Sequence, residues 1–268
     1  MSADPVLAEA RATTNRVART FSIACRLLPR DVRDDVYRLY LVFRSLDDLV
    51  DEGDPDAAAR VEAVAAWAAG AAATPTREVV VLDDLAARHP LPRTALADFC
   101  AGMRADLAGA RHETEEDLDR YCDRVAGTVG LTMAALLGAR GPEAEAAATA
   151  LGMAMQRTNV LRDIDEDGAR GRVYLAAETV RAFGGSLEPG DREALVRDQI
   201  ARADALYERG CAGIQLLPRG RRAITAAAHM YREILRQIER EGYGARAGRA
   251  VVAPRRKLAV AGRAALIG

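Results

Sequence analysis

The chain has 268 residues and a mass of 28.7 kDa; half of its residues are hydrophobic, 29% are charged and only 4% are aromatic. This composition argues against disorder, and its wealth of helix formers and shortage of strand formers argue against a β-sandwich or β-barrel. The 38 basic and 39 acidic residues leave a net charge of −1, so no basic excess points to a nucleic-acid partner.

Proline and glycine divide the chain into helical blocks that show no strand-like alternation. The predicted helices cover residues 5–27, 31–52, 56–73, 76–88, 93–110, 114–138, 142–167, 176–184, 190–217 and 219–242, and a basic, apolar tail follows at 250–268. A capping pattern at Thr114 begins the block 114–138. Because the connections are short, we expect residues 1–268 to form one all-α domain.

Cysteine and histidine give no sign of a site. The four cysteines are scattered without a CxxC pair and the three histidines lie far apart, so neither a disulfide framework nor a histidine metal site is expected. The first residues show no signal-peptide pattern, and charges interrupt every long apolar stretch. We therefore expect a soluble, cytoplasmic protein.

The first informative motif is YLVFRSLDDLVDE, residues 40–52. On a helix, Asp47 and Asp51 share one face with Arg44 and Tyr40. Two carboxylates one turn apart repel each other unless a cation lies between them or water solvates both. By itself, such a pair is more simply interpreted as a solvated helix face.

A second acidic motif occupies residues 156–167 of the predicted helix 142–167. Gln156, Asn159, Asp163 and Asp167 follow one another at helical spacing and would form one continuous polar stripe. Two such stripes, each beside apolar residues, favour a functional interpretation over two solvated faces. The pair Asp83-Asp84 lies in a similar context but lacks the second turn.

Facing DxxxD pairs suit Mg²⁺, which prefers oxygen ligands and binds through a few carboxylates together with substrate phosphates. Bound Mg²⁺ would neutralise a diphosphate leaving group and promote its departure. Arg44 and Arg162 would add charge-assisted hydrogen bonds to the same oxygens. An apolar helical interior would shelter the resulting carbocation from water.

The order of motifs resembles that of the squalene/phytoene synthases, which are all-α, Mg²⁺-dependent prenyltransferases. The resemblance rests on residues 40–52, on YCDRVAGTVG (121–130), on TNVLRDIDED (158–167) with GRVYL (171–175), and on Tyr231, Tyr243 and RAVV (249–252). It covers most of the chain, and the third motif looks most like the phytoene synthase branch. The resemblance implies an isoprenoid-synthase-type bundle around a central apolar pocket.

The resemblance also implies roles for single residues. The implied metal ligands, for two or three Mg²⁺ ions, are Asp47, Asp51, Asn159, Asp163 and Asp167. The implied substrate and diphosphate contacts are Phe21, Tyr40, Arg44, Asp48, Gln156, Asn159, Arg162, Tyr231 and Arg249. Tyr121 would lie near the reacting carbons, and Val125, Val129 and Gly130 would line the prenyl chain. Positions 121, 125 and 129 share a face of a regular helix, which agrees with this.

Three functions stay open. The first is head-to-head condensation of two prenyl diphosphates, as in phytoene synthesis; no GxGxxG pattern indicates an NADPH site. The second is transfer of a prenyl group to an aromatic small molecule in secondary metabolism, which Asp123-Arg124, the unusual residues 18–24 and the few aromatic rings motivate. The third is a helical scaffold without activity, which the intact aspartates disfavour. An apolar product would also suit a transient, peripheral membrane contact, whereas prenyl chain length and oligomeric state are not predictable.

Overall fold

The structure is a computed structural model that describes residues 4–267, with side chains described throughout except at Arg19 and residues 265–267. Its α-helices are α1 (Pro5–Val17), α2 (Arg19–Cys25), α3 (Arg30–Glu52), α4 (Ala57–Ala68), α5 (Arg77–Ala86), α6 (Arg93–Leu107), α7 (Glu115–Cys122), α8 (Thr128–Leu136), α9 (Pro142–Arg162), α10 (Ile164–Ala169), α11 (Ala177–Ala182), α12 (Glu193–Ala212), α13 (Arg221–Arg240) and α14 (Pro254–Ile267). A π-helical segment (Asp123–Gly127) joins α7 to α8, and a 3₁₀ turn (Ile214–Leu216) follows α12. The described range contains no strand, which confirms the all-α prediction.

Several helix ends lie where local sequence signals place them. The helix α3 ends at Gly53, whose φ of 67° is the left-handed conformation that favours glycine. At the start of α7, the Thr114 side chain accepts from the Asp117 N–H, and the Asp117 carboxylate accepts from the Thr114 N–H, which confirms the predicted capping box. These ends were predictable because each depends on residues within one turn.

Two long predicted helices are interrupted. The prediction of one helix over 5–27 is wrong, because Ala18 leaves the helical region (φ −122°, ψ 55°) and separates α1 from α2. The prediction of one helix over 142–167 is also wrong, because α9 ends at Arg162 and α10 begins after Asp163 (φ −107°, ψ 13°). Neither break has a glycine or proline at it. The break at Ala18 follows from packing, because α1 lies against α3 whereas α2 lies against α13.

The helix α9 lies at the centre of the packing, in contact with α8, α12 and α13. Glycines allow its neighbours to approach closely. A Cβ at Gly130 would lie 2.3 Å from the Ala148 carbonyl oxygen, and one at Gly213 would lie 2.1 Å from the Ala147 Cβ. Both glycines are therefore needed for the packing of these helices.

The buried apolar core runs through the bundle, and its largest fully buried side chains include Tyr207, Leu39, Leu46, Leu136 and Met230. No helix among the described residues is both long enough and apolar enough to cross a membrane.

Candidate active site

A cavity of about 730 Å³ opens between α2, α8, α9, α12 and α13. Its walls are mostly apolar, with Val125, Val129, Met133, Leu151 and Ile234 among the lining residues. The break at Ala18 contributes to this wall, since Val17, Ala18, Thr20 and Phe21 all line it. Phe21, a predicted substrate contact, lines the cavity with its ring centroid 5.0 Å from that of Tyr40.

One face of α9 follows the whole length of the cavity. The residues that line it from this helix are Ala144, Ala147, Ala148, Leu151, Gly152, Met155, Asn159 and Arg162. Their spacing is that of a single helical stripe, and at 1.5 Å per residue the stripe is about 27 Å long. Small residues occupy the end near Ala144, and polar residues occupy the end near Arg162. The cavity is therefore a channel with an apolar end and a polar mouth.

Arginine, asparagine and tyrosine side chains gather at the polar mouth. The Tyr231 hydroxyl donates to Asn159 Oδ1 at 3.1 Å. Arg162 donates to both oxygens of Asp163, at 2.8 Å from Nε and 2.5 Å from Nη2. Arg249 Nε lies 3.1 Å from Asp163 Oδ1. All of these residues except Asp163 also line the cavity, so cationic and amide groups face whatever occupies the mouth.

The first acidic motif lies beside this mouth on α3. Arg44 donates to Asp47 Oδ2 at 3.0 Å and also donates to Asp48. Arg172 donates to Asp51 Oδ1 at 2.6 Å. Partial burial, with the charges of Asp51 and Asp48, raises the pKa of Asp47 to about 6 although Arg44 opposes the shift. Burial and the neighbouring carboxylates therefore outweigh the stabilisation that Arg44 gives to the Asp47 carboxylate.

The second motif approaches the first through Asp167. Partial burial, together with the charges of Asp163 and of Asp51 in the first motif, raises the pKa of Asp167 to about 6 against the opposing charge of Arg170. Asp51 and Asp167 thus repel each other across the two helices. A cation placed between the motifs would relieve this repulsion.

The residues fit a cation that is shared with a phosphate group. Within residues 4–267, no three acidic, histidine or cysteine side chains converge closely enough to hold a metal ion by themselves. Mg²⁺ usually takes one or two carboxylates and completes its shell with water and substrate phosphates. The Arg44 Nε–H is also a buried donor without an acceptor among the described atoms, as expected of a group that awaits an anion.

Asp106 on α6 belongs to the same cluster, although no motif in the sequence marks it. Burial raises the pKa of Asp106 to about 7, the charges of Asp47 and Asp51 raise it as well, and a hydrogen bond from Tyr121 opposes the shift. The Tyr121 hydroxyl donates to Asp106 Oδ2 at 3.2 Å. A single carboxylate on an otherwise ordinary helix gives no sequence signal, so only the fold reveals it.

The π-helical segment Asp123–Gly127 lies between Tyr121 and Val129 and contains Val125. Because a π-turn closes with i→i+5 hydrogen bonds, residues four apart stay near one face, and this segment is compatible with the prediction that positions 121, 125 and 129 share a face. Val125, Val129 and Gly130 line the cavity, whereas Tyr121 does not. Its ring instead lies 5.4 Å from that of Tyr174.

Three other residues lie outside the cavity. Gln156 accepts a hydrogen bond from Asn159 Nδ2 at 3.2 Å and so lies behind the lining. Asp123 is exposed, and neither it nor Arg124 lines the cavity. The structure therefore does not place the Asp123 carboxylate in the pocket, where the hypothesis of an aromatic acceptor would need it.

A helical bundle around an apolar channel, with arginines and aspartates at one end, is the architecture of an enzyme for long apolar substrates with an anionic head group. The family model for squalene/phytoene synthase matches residues 14–256. The chain is 40% identical to a phytoene synthase of Thermus thermophilus over 84% of this chain and 80% of that one. It is 36% identical to a 15-cis-phytoene synthase of Synechococcus elongatus over 93% of this chain and 89% of that one.

A solved structure of a related enzyme has the same fold. The fold matches a dehydrosqualene synthase crystallised with a ligand, with a TM-score of 0.88 and 26% identity over 98% of this chain and 96% of that one. The chain belongs to the squalene/phytoene synthase family. It is accordingly a prenyltransferase of isoprenoid biosynthesis, and its family implies prenyl diphosphate substrates.

Proposed function

We propose that the protein is an Mg²⁺-dependent enzyme that condenses two prenyl diphosphates head to head to a phytoene-type hydrocarbon. The observation that carries this proposal is the channel along α9, which ends in arginines beside two acidic motifs. Identity of 33–40% to phytoene synthases supports the choice of product class. We propose further that residues 1–268 work as one catalytic domain, since helices from α2 to α13 line one cavity.

The polar mouth would hold the diphosphate. Arg44, Arg162 and Arg249 supply guanidinium groups, which bind phosphate oxygens in charge-assisted pairs. Asn159 and Tyr231 would add hydrogen bonds from the adjacent wall, and Tyr40 stands beside them in the lining. Arg44 and Arg162 now donate to aspartates, so an incoming diphosphate would share these donors.

The ligands for Mg²⁺ would be Asp47, Asp51, Asn159, Asp163 and Asp167, with Asp48 and Gln156 in support. When bound, the metal would supply positive charge that stabilises the departing diphosphate. These aspartates would otherwise repel one another, as the raised pKa values of Asp47 and Asp167 indicate. The donor set consists of hard oxygen ligands, which suits Mg²⁺.

The apolar part of the channel would hold the prenyl chains and exclude water. One diphosphate would ionise, and the double bond of the second chain would attack the allylic cation. Loss of a proton would close the ring to a cyclopropyl diphosphate. The second diphosphate would then leave, and the rearranged cation would lose another proton to give the hydrocarbon. Val125, Val129 and Gly130 would face the chains. Tyr121 would lie behind this wall, with its hydroxyl hydrogen-bonded to Asp106.

The length of the channel favours a substrate with four isoprene units. Such a chain, fully extended, spans roughly 19 Å at about 1.2 Å per backbone bond. From Asn159 to Ala144 the lining face of α9 spans about 22 Å. The chain therefore fits with its diphosphate at the mouth.

Incubation of the purified protein with geranylgeranyl diphosphate and Mg²⁺ tests the proposal. The expected result is a C40 hydrocarbon, detected by mass spectrometry, and no product when the metal is chelated. Inertness towards geranylgeranyl diphosphate alone, relieved by an aromatic co-substrate, would overturn the proposal in favour of aromatic prenylation. Asp123, one of the residues that motivated that alternative, is exposed and does not line the cavity.

A further inference from the structure

Asp165 stands between two proposed metal ligands in the sequence but faces a different partner. Arg192, at the start of α12, donates to both of its oxygens, at 2.6 Å from Nη1 and 2.8 Å from Nη2. Arg192 also donates to the Leu187 carbonyl oxygen at 2.9 Å, and only 3% of its side chain is exposed. Asp165 is thus held in a buried, two-pronged ion pair and is turned away from the metal cluster.

The same carboxylate binds the backbone of a distant segment. The Gly248 N–H donates to Asp165 Oδ2 at 2.7 Å. Gly248 belongs to residues 242–249, named here the glycine loop, in which Gly242, Gly244 and Gly248 all have positive φ. A Cβ at Gly244 would lie 2.5 Å from Arg192 Nε, so the loop lies directly on the guanidinium.

Arg249, the next residue after Gly248, faces the mouth of the channel. Its Nε lies 3.1 Å from Asp163 Oδ1 and its Nη1 lies 3.4 Å from Glu166 Oε2. With 42% of its side chain exposed, Arg249 is not fixed by burial. A long exposed side chain loses conformational entropy when it binds, and fixing its backbone in advance lowers that cost.

The structure assigns Asp165 and Arg192 a role as positioning residues for Arg249. Their buried ion pair holds the Gly248 backbone, so the Arg249 guanidinium stays over the mouth, where an anionic diphosphate binds. Neither residue needs to touch the substrate. This inference rests on the proposed function only in placing a diphosphate at the mouth.

A double-mutant cycle in diphosphate binding tests this role. Calorimetry would measure the Kd of inorganic diphosphate with Mg²⁺ for the wild type, Asp165→Ala, Arg249→Ala and the double variant. We expect Asp165→Ala to weaken binding about tenfold in the wild-type background and less than twofold in the Arg249→Ala background, because residues that act as one unit are not additive. The readout needs no prenyl substrate, so it stays informative even if the C40 product is never found.

A matched control separates positioning from general destabilisation. Asp35 is a buried carboxylate on α3 that is likewise held by ion pairs, in its case with two arginines, Arg38 at 3.0 Å and Arg88 at 2.5 Å. Asp35→Ala should lower the melting temperature and leave the diphosphate Kd unchanged. Should Asp165→Ala not fold, Arg192→Lys, which keeps the charge but loses the two-pronged geometry, takes its place in the cycle. Equal weakening in both backgrounds, or none in either, would overturn the assignment.

Discussion

Arg172 donates a hydrogen bond to Asp51 at 2.6 Å, across 121 positions of the sequence, and joins the end of α3 to the segment after α10. Because its charge also lowers the pKa values of Asp47, Asp106 and Asp167, Arg172 partly neutralises the whole acidic cluster. A cation that enters the cluster would take over this neutralisation.

Replacement of Arg172 should therefore make the fold more dependent on Mg²⁺. In Arg172→Gln, the rise in melting temperature on addition of Mg²⁺ should exceed the wild-type rise by about 2 °C, a difference expected for roughly 1 kcal/mol in a protein of this size. Thermal unfolding with and without Mg²⁺ measures the difference. Arg181→Gln, which removes an exposed pair with Glu113, is the control and should leave the rise unchanged. An equal rise in Arg172→Gln and the wild type would contradict this role.

The proposed metal ligands can be tested by charge removal. Asp47→Asn or Asp163→Asn should each lower kcat about a thousandfold, since metal stabilisation of the leaving group is worth several kcal/mol and each 1.36 kcal/mol is a factor of ten. Steady-state assays with geranylgeranyl diphosphate measure the loss. Asp84→Asn removes a carboxylate on α5 that pairs with Arg88, and this variant should retain full activity. Wild-type turnover in either of the first two variants would refute the metal assignment.

The channel along α9 predicts where chain length is limited. Ala148 lines the channel about 16 Å along the helix from Asn159, between the extended lengths of chains with three units, roughly 14 Å, and four units, roughly 19 Å. Ala148→Phe should lower kcat/KM for geranylgeranyl diphosphate at least about tenfold relative to farnesyl diphosphate. The added ring would obstruct the part of the channel that only the longer chain reaches. Competition assays with both substrates measure this ratio. Ala146→Phe, on the exposed side of the same helix, should leave it unchanged, and an unaltered ratio in Ala148→Phe would show that another wall sets the length.

Asp106 predicts a pH dependence of stability. Its pKa of about 7 lies above the value of about 3.9 for an unfolded chain, so the folded state binds this proton more tightly. The free energy of unfolding should therefore fall as pH rises from about 4 to 7, and Asp106→Asn should abolish this loss. In Mg²⁺-free buffer, urea unfolding should find Asp106→Asn more stable than the wild type by about 1–3 kcal/mol at pH 8 and nearly equal to it at pH 4. A difference that stays constant between these pH values would contradict the assignment.

Local signals explain what was predictable from the sequence. The helical class follows from composition, and the ends at Gly53 and Thr114 follow from capping within one turn. The acidic motifs and the resemblance they carry lead to the family that the comparisons confirm. The roles of the single site residues stay predictions, although the structure brings Asp51 and Asp167 close enough to repel.

Other features depend on contacts between distant residues. No glycine or proline near Ala18 or Asp163 marks a break, yet a helix ends at both places. The local residue pattern therefore does not reveal either break.

The sequence by itself determined the helical class, the acidic motifs and the family, because spacing of three and four residues is a local property of a helix. Only the tertiary structure decided that Asp106 and Arg172 join the acidic cluster and that Asp165 turns away from it to Arg192. These arrangements arise from helices that are far apart in the chain. Their side chains come into contact only when burial of apolar surface packs those helices together, and no local spacing in the sequence predicts these contacts.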